Sequence, residues 1–91
     1  MKTIKLLKLV GSFAENKDVA KEIKKEIISN IGNGVVLDFE GVDSATQSFV
    51  HAMISDIIRD GNLDKLSFKN CSETVKKIII LVTDYMQESV M

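Results

Sequence analysis

Two side chains capable of nucleophilic chemistry lie three residues apart near the middle of the chain. Ser48 and His51 fall in a stretch whose apolar residues recur at helical spacing, so they would be neighbours on one helix. Nucleophilic catalysis also requires an acid that orients the histidine and donors that stabilise an oxyanion, and the sequence places neither beside this pair. We therefore expect His51 to lie at a surface or an interface, and we do not expect an enzyme.

Asp38 and Cys71 are the other candidates for chemistry. Asp38 ends an apolar run, where a carboxylate requires donors, so it should accept N–H groups from the following loop or help to form a ligand site. Cys71 is the single cysteine, which excludes an internal disulfide, and it is interpreted as a small buried side chain. Carboxylates, histidine and cysteine do not recur at metal-site spacing, so neither a metal nor a cofactor is predicted.

The elements that position these residues follow from apolar periodicity and helix-capping residues. The carboxyl end of the buried strand runs through Gly41 and a polar loop into the helix that carries Ser48. Partners and ligands commonly meet open α/β sheets at such strand ends. The predicted elements, in chain order, are a strand over 3–10, a helix capped by Asn16 that runs to 31, a strand over 35–39, a helix capped by Thr46 or Ser48 that runs to 60, an edge strand over 65–70 and a helix capped by Ser72 that runs to 86.

This order predicts an α/β fold with a three-stranded, largely parallel sheet in a β-α-β-α-β-α superhelix, as one domain over residues 1–91. The alternating third strand has one wet face, so the helices should lie mainly on one side of the sheet. Leu7, Leu9 and Val36 would then lie partly exposed on the other side, as a surface for a homodimer or a partner, unless the last helix covers them. The predicted buried stripe of that helix is Val75, Ile78, Ile79, Val82, Tyr85 and Met86.

Composition excludes several classes of partner. Twelve basic and thirteen acidic residues are interleaved and give a net charge of −1, which argues against nucleic acid. No apolar run is long enough for a membrane span. Lys5 and Lys8 interrupt the apolar residues at the start of the chain, so this segment is not predicted to be a signal peptide. We expect a cytoplasmic protein that does not bind membranes.

Several motifs together resemble the STAS-like domain family, a set of small bacterial proteins related to the sulfate-transporter and anti-sigma-factor-antagonist (STAS) domain. The resemblance spans roughly residues 11–86. The most specific run is Leu37-Asp38-Phe39-Glu40-Gly41-Val42 followed by Thr46-Gln47-Ser48-Phe49, and the supporting segments are Gly11–Ala14, Val19–Ala20 and Phe68–Cys71.

This resemblance implies a βα superhelix with strands in sequential order and a non-enzymatic regulatory role. Anti-sigma-factor antagonists of this type bind an ATP-binding kinase of the histidine-kinase-like fold, which phosphorylates a serine at the start of the second long helix. Gln47 occupies the usual acceptor position here, and Ser48 matches the following serine. The chain would then either bind its partner constitutively or use Thr46 or Ser48 as the phosphate acceptor.

We therefore predict a protein-docking surface formed by the loop and the first turn of that helix. The rival prediction is a small-ligand or nucleotide-sensing domain at the carboxyl ends of the strands, using Asp38, Ser48 and Asn70. The predicted partner-binding residues are Asp38, Glu40, Asp43, Ser44, Thr46, Gln47, Ser48 and His51.

Overall fold

The computed structural model describes residues 1–90, with side chains through Gln87. Short 3-10 turns at Ile31–Asn33 and Leu63–Lys65 precede the second and third long strands. The strands are β1 (Lys2–Lys5), β2 (Phe13–Ala14), β3 (Val35–Asp38), β4 (Ser44–Ala45) and β5 (Leu66–Lys69), and the helices are α1 (Leu7–Val10), α2 (Lys17–Asn30), α3 (Gln47–Arg59) and α4 (Glu73–Val90).

The main sheet of the described chain is parallel throughout, with β3 between β1 and β5. Ile4, Leu37 and Phe68 form one row across the strands, and Lys5, Asp38 and Lys69 form the next row. Because side chains alternate along a strand, the first row faces the core and the second faces the open side of the sheet. The predicted α/β fold, with strands in sequential order and helices on one face, is confirmed.

The long helices begin at the capping residues that the sequence predicts. The Asn16 side chain accepts from the amides of Asp18 and Val19 at the start of α2. Helix α3 lies between α2 and α4 and is the most buried of the three. Its buried residues are Phe49, Val50, Met53, Ile54, Ser55, Ile57 and Ile58.

The prediction that the first strand continues to residue 10 is wrong. The Leu6 amide donates to the Asp38 carbonyl at 3.0 Å, and β3 ends there, so later residues have no strand to pair with. The backbone instead turns into α1, where the amides of Leu9 and Val10 both donate to the Leu6 carbonyl at 2.9 Å. Leu7 and Leu9 are exposed as expected, but they lie on this helical turn and not on the open face of the sheet.

A second, very short parallel sheet was not predicted. Strands β2 and β4 pair Phe13 with Ser44 and Ala14 with Ala45. The Asp43 amide also donates to the Ser12 carbonyl at 2.8 Å, and the Thr46 amide to the Ala14 carbonyl at 2.9 Å. These bonds fix the segment that leads into α3.

Candidate functional site

Buried apolar side chains anchor the loop between β3 and α3 to the core. Phe39, Val42 and Ala45 are buried in the core, while Glu40 and Asp43 between them are exposed. The Val42 amide closes a turn on the Phe39 carbonyl at 2.9 Å. Burial at every third position therefore anchors the loop and turns its polar side chains outward.

Asp38 fastens this loop to the segment after β5. Its Oδ1 atom accepts from the Glu40 amide and from the Asn70 side-chain amide, both at 3.0 Å, and the residue is only 5% exposed. The Asn70 hydrogen bond, followed by the Glu40 bond and the nearby amines of Lys5 and Lys69, lowers the pKa of the Asp38 carboxyl. The expectation that Asp38 accepts an N–H group from the loop is confirmed.

Ser72 makes a second link at the same end of the sheet. Its hydroxyl donates to the Asp43 carbonyl at 2.9 Å and accepts from the Val75 amide at 3.1 Å. Ser72 thus caps α4, as the sequence predicted, and also ties the loop before α3 to that helix. The pattern of capping residues does not reveal the second bond, because it joins residues 29 apart in the chain.

The side chains at the start of α3 differ in their exposure and in their hydrogen bonds. Thr46 is half-buried, and its Oγ1 atom accepts from the Phe49 amide at 3.0 Å, which makes it the N-cap. Gln47, Ser48 and His51 are exposed on the first turns of the helix. Ser48 consequently presents its hydroxyl to solvent, whereas the Thr46 hydroxyl is part of the helix start.

A cleft of about 390 Å³ lies beside these residues. Tyr85 is 59% exposed, so its predicted place in the buried stripe of α4 is wrong, while Val82 is buried as predicted. The sequence offered no signal for Lys17, because it reaches the cleft from the start of α2, thirty positions before Gln47. The residues that line the cleft are Lys17, Gln47, Ser48, His51, Ala52, Val82 and Tyr85.

A second cavity, of about 340 Å³, lies at the carboxyl ends of β1 and β3. This is the place where the small-ligand hypothesis puts its site. It contains Asp38 but neither Ser48 nor Asn70, which that hypothesis also invoked. The residues that line it are Lys5, Leu7, Lys8, Asp38, Glu40 and Gly41.

Neither Cys71 nor an acidic cluster adds a reactive centre to the described part of the chain. Cys71 is half-buried, and its burial raises the pKa of the thiol, which disfavours a thiolate. Among the described side chains, which run through Gln87, no group of three or more His, Cys, Asp and Glu residues could hold a metal ion. None of the helices within residues 1–90 is long and apolar enough to cross a membrane.

One comparison with known proteins gives a match. The model of a family described as a STAS-like domain of unknown function matches residues 19–76. The match covers more than half of the chain and contains β3, the loop after it and the whole of α3. No curated protein and no solved structure matches the chain.

Proposed function

This chain belongs to the STAS-like domain family, and from that membership we propose that it is a non-enzymatic regulatory module. It binds a protein partner through the loop after β3 and the first turns of α3. The partner is an ATP-binding kinase of the histidine-kinase-like fold, as the resemblance to anti-sigma-factor antagonists implies. The module works in the bacterial cytoplasm and binds protein rather than nucleic acid, which is in keeping with its net charge of −1.

The exposure of polar side chains at the start of α3 carries this proposal. Gln47, Ser48 and His51 are exposed, whereas Phe49 and Val50 between them are buried in the core. The buried neighbours hold the helix in place, so the exposed side chains are displayed on a rigid element. A surface of this kind loses little conformational entropy when a partner docks on it.

The cleft beside α3 extends the surface that a partner can contact. Tyr85 adds exposed aromatic area next to the amide of Gln47, the Ser48 hydroxyl and the His51 imidazole. Aromatic side chains surrounded by polar groups are common at protein interfaces. A partner that contacts Gln47 and Ser48 would therefore also reach the outer side of α4.

Ser48 is the better acceptor for a regulatory phosphate. The Thr46 hydroxyl already accepts the Phe49 amide, and its phosphorylation would disturb the cap of α3, whereas the Ser48 hydroxyl is exposed. A phosphate on Ser48 would add about −1.5 to −2 charges next to the positive end of the helix dipole, where the domain tolerates it. The same charge, together with its bulk, would weaken docking of a partner surface built for a neutral side chain.

The proposal is tested by affinity capture from lysate of the source organism, read by mass spectrometry. The baits are the wild type, Ser48→Glu, Gln47→Glu and the matched control Ser67→Glu. Ser67 is an exposed serine on the opposite, open face of the sheet, so its variant repeats the chemical change away from α3.

We expect the wild type and Ser67→Glu to recover an ATPase of the histidine-kinase-like fold, and the Ser48 and Gln47 variants to lose it. Equal recovery by all four baits would refute docking at the start of α3. Loss from the Ser67 variant instead would place the docking surface on the open face of the sheet.

The cavity at the ends of β1 and β3 favours a second candidate function, the sensing of a small anionic ligand such as a nucleotide. Its volume lies within the range of small-molecule sites, and the amines of Lys5 and Lys8 could bind phosphate groups. Thermal unfolding in millimolar ATP or GTP tests this function. A rise in the melting temperature that Lys8→Ala removes and Ser48→Glu retains would support it, and no rise with either nucleotide would contradict it.

A further inference from the structure

The outer face of α4 carries exposed aliphatic side chains. Ile80 is 51% exposed and Leu81 is 50% exposed. Successive residues of an α-helix are about 100° apart. The side of α4 that faces the core is marked by its buried residues Val75, Ile79, Val82 and Met86. We call the line along the helix directly opposite to them the outward line. Ile80 and Leu81 lie on either side of this line.

Opposite charges lie on this outward line at equal distances from the two aliphatic residues. Lys77 lies about one turn before the midpoint between Ile80 and Leu81, and Asp84 lies about one turn after it. Both side chains are exposed, and no ion pair within the described chain involves either of them. The exposed Glu73 lies on the same face, about one turn before Lys77. From Lys77 to Asp84 the outer face is therefore positive, then apolar, then negative.

We propose that this face binds the same face of a second copy of the chain, with the two α4 helices antiparallel. A two-fold axis at the midpoint would place Lys77 of each copy opposite Asp84 of the other, which makes two ion pairs. It would also bring Ile80 onto Ile80 of the second copy and Leu81 onto Leu81. A surface that is complementary to itself in this way is the requirement for a two-fold dimer.

The charges also select the orientation. Parallel helices in register would set Lys77 against Lys77 and Asp84 against Asp84, and like charges in contact are unfavourable. A contact made by one helix from each copy is at the low end of biological interfaces. The dimer is therefore reversible, and it forms at concentrations of tens to hundreds of micromolar, an order of magnitude set by the weak class of complexes.

Charge-reversed variants provide the test, read as the monomer–dimer equilibrium by sedimentation velocity. Each protein is measured from about 5 to about 500 µM, a range that brackets the expected dissociation constant. The variants are Lys77→Glu, Asp84→Lys and an equimolar mixture of the two. Lys76→Glu is the matched control, because Lys76 is exposed but lies to one side of the outward line, and circular dichroism checks that every variant is folded.

The wild type and Lys76→Glu should dimerise with similar constants. Each single variant on the outward line turns both ion pairs into like-charge pairs, so its dimer should weaken about tenfold or more. The mixture should dimerise again. On the outward line the Lys77→Glu variant carries two acidic side chains and the Asp84→Lys variant carries two lysines, so a mixed dimer forms two ion pairs. Dimerisation unaffected by Lys77→Glu, no recovery in the mixture, or a wild type that stays monomeric would each overturn the proposal.

Discussion

Gly41 lies beside the Leu7 side chain of α1, in the loop that leads to the candidate surface. Its φ is +84°, and a Cβ built on it would lie 2.6 Å from Cδ2 of Leu7. Replacement by alanine should therefore lower the free energy of unfolding for two separate reasons, one from the backbone and one from the contact.

The two contributions can be estimated separately. An L-residue in the left-handed region costs about 1–2 kcal/mol. The Leu7 side chain would have to move, and because it is 42% exposed it can do so at a cost of about 0.5–1.5 kcal/mol for leaving its rotamer. Gly41→Ala should thus destabilise the domain by roughly 2–3 kcal/mol, a large part of the total stability of a small domain.

Gly61→Ala is the matched control for the backbone contribution. Gly61 has a φ of +79°, and its Cβ would have no neighbour within 4 Å. The difference in the free energy of unfolding between the two variants isolates the contact with Leu7 and should be about 1 kcal/mol. Urea unfolding followed by circular dichroism would show it as a midpoint difference of roughly 1 M or somewhat less. The double variant Leu7→Ala/Gly41→Ala, compared with Leu7→Ala, should show the backbone contribution without the contact.

Equal destabilisation by Gly41→Ala and Gly61→Ala would refute this reasoning, since it would mean that Leu7 does not press on the loop. Destabilisation by Gly41→Ala that persists in full on the Leu7→Ala background would refute it as well. In either case α1 would not constrain the loop, and Leu7 would not line the cavity at the carboxyl ends of β1 and β3.

Two further predictions concern side chains that hold the site. Thr46→Ala should lower the stability by about 1 kcal/mol in urea unfolding because the Phe49 amide loses its acceptor, whereas Thr46→Ser should leave it nearly unchanged. The folded state lowers the pKa of Asp38, so its stabilising effect is complete above the ordinary carboxyl pKa and is lost as the pH falls from that value through the lowered pKa of the folded state. Asp38→Asn should therefore lower the melting temperature at pH 7, and the gap to the wild type should begin to narrow as the pH falls toward the ordinary carboxyl pKa of about 4 and should continue to narrow below it; a constant gap would contradict the lowered pKa.

The long helices and the central strand were predictable because local chemistry and tertiary packing agree there. Asn16, Thr46 and Ser72 each have an oxygen that accepts an amide of the first turn, and apolar residues follow at helical spacing. Residues 7–10 were not predictable, because a short apolar run fits a strand and a helical turn equally well. The end of β3 at Asp38 decides between them, and that is a property of the neighbouring strand.

The candidate site was predictable in part for the same reason. The exposure of Gln47 and Ser48 follows from their place at a helix start, and the contact of Asp38 with the loop amide follows from the need of a carboxylate for donors. Lys17 and Tyr85 reach the cleft from other helices, and the bond from Ser72 to the Asp43 carbonyl joins distant segments. Contacts of this kind depend on how the helices pack, which no spacing along the chain reveals.

The proposed docking on the start of α3 is tested most directly by mapping amide chemical shifts of the ¹⁵N-labelled protein during titration with the kinase that affinity capture is expected to recover. The largest changes should fall on Gln47, Ser48 and His51, and Ser67 on the open face of the sheet should not change. Changes confined to Lys5, Lys8 and Glu40 would place binding at the cavity beyond β1 and β3 and would contradict docking at α3.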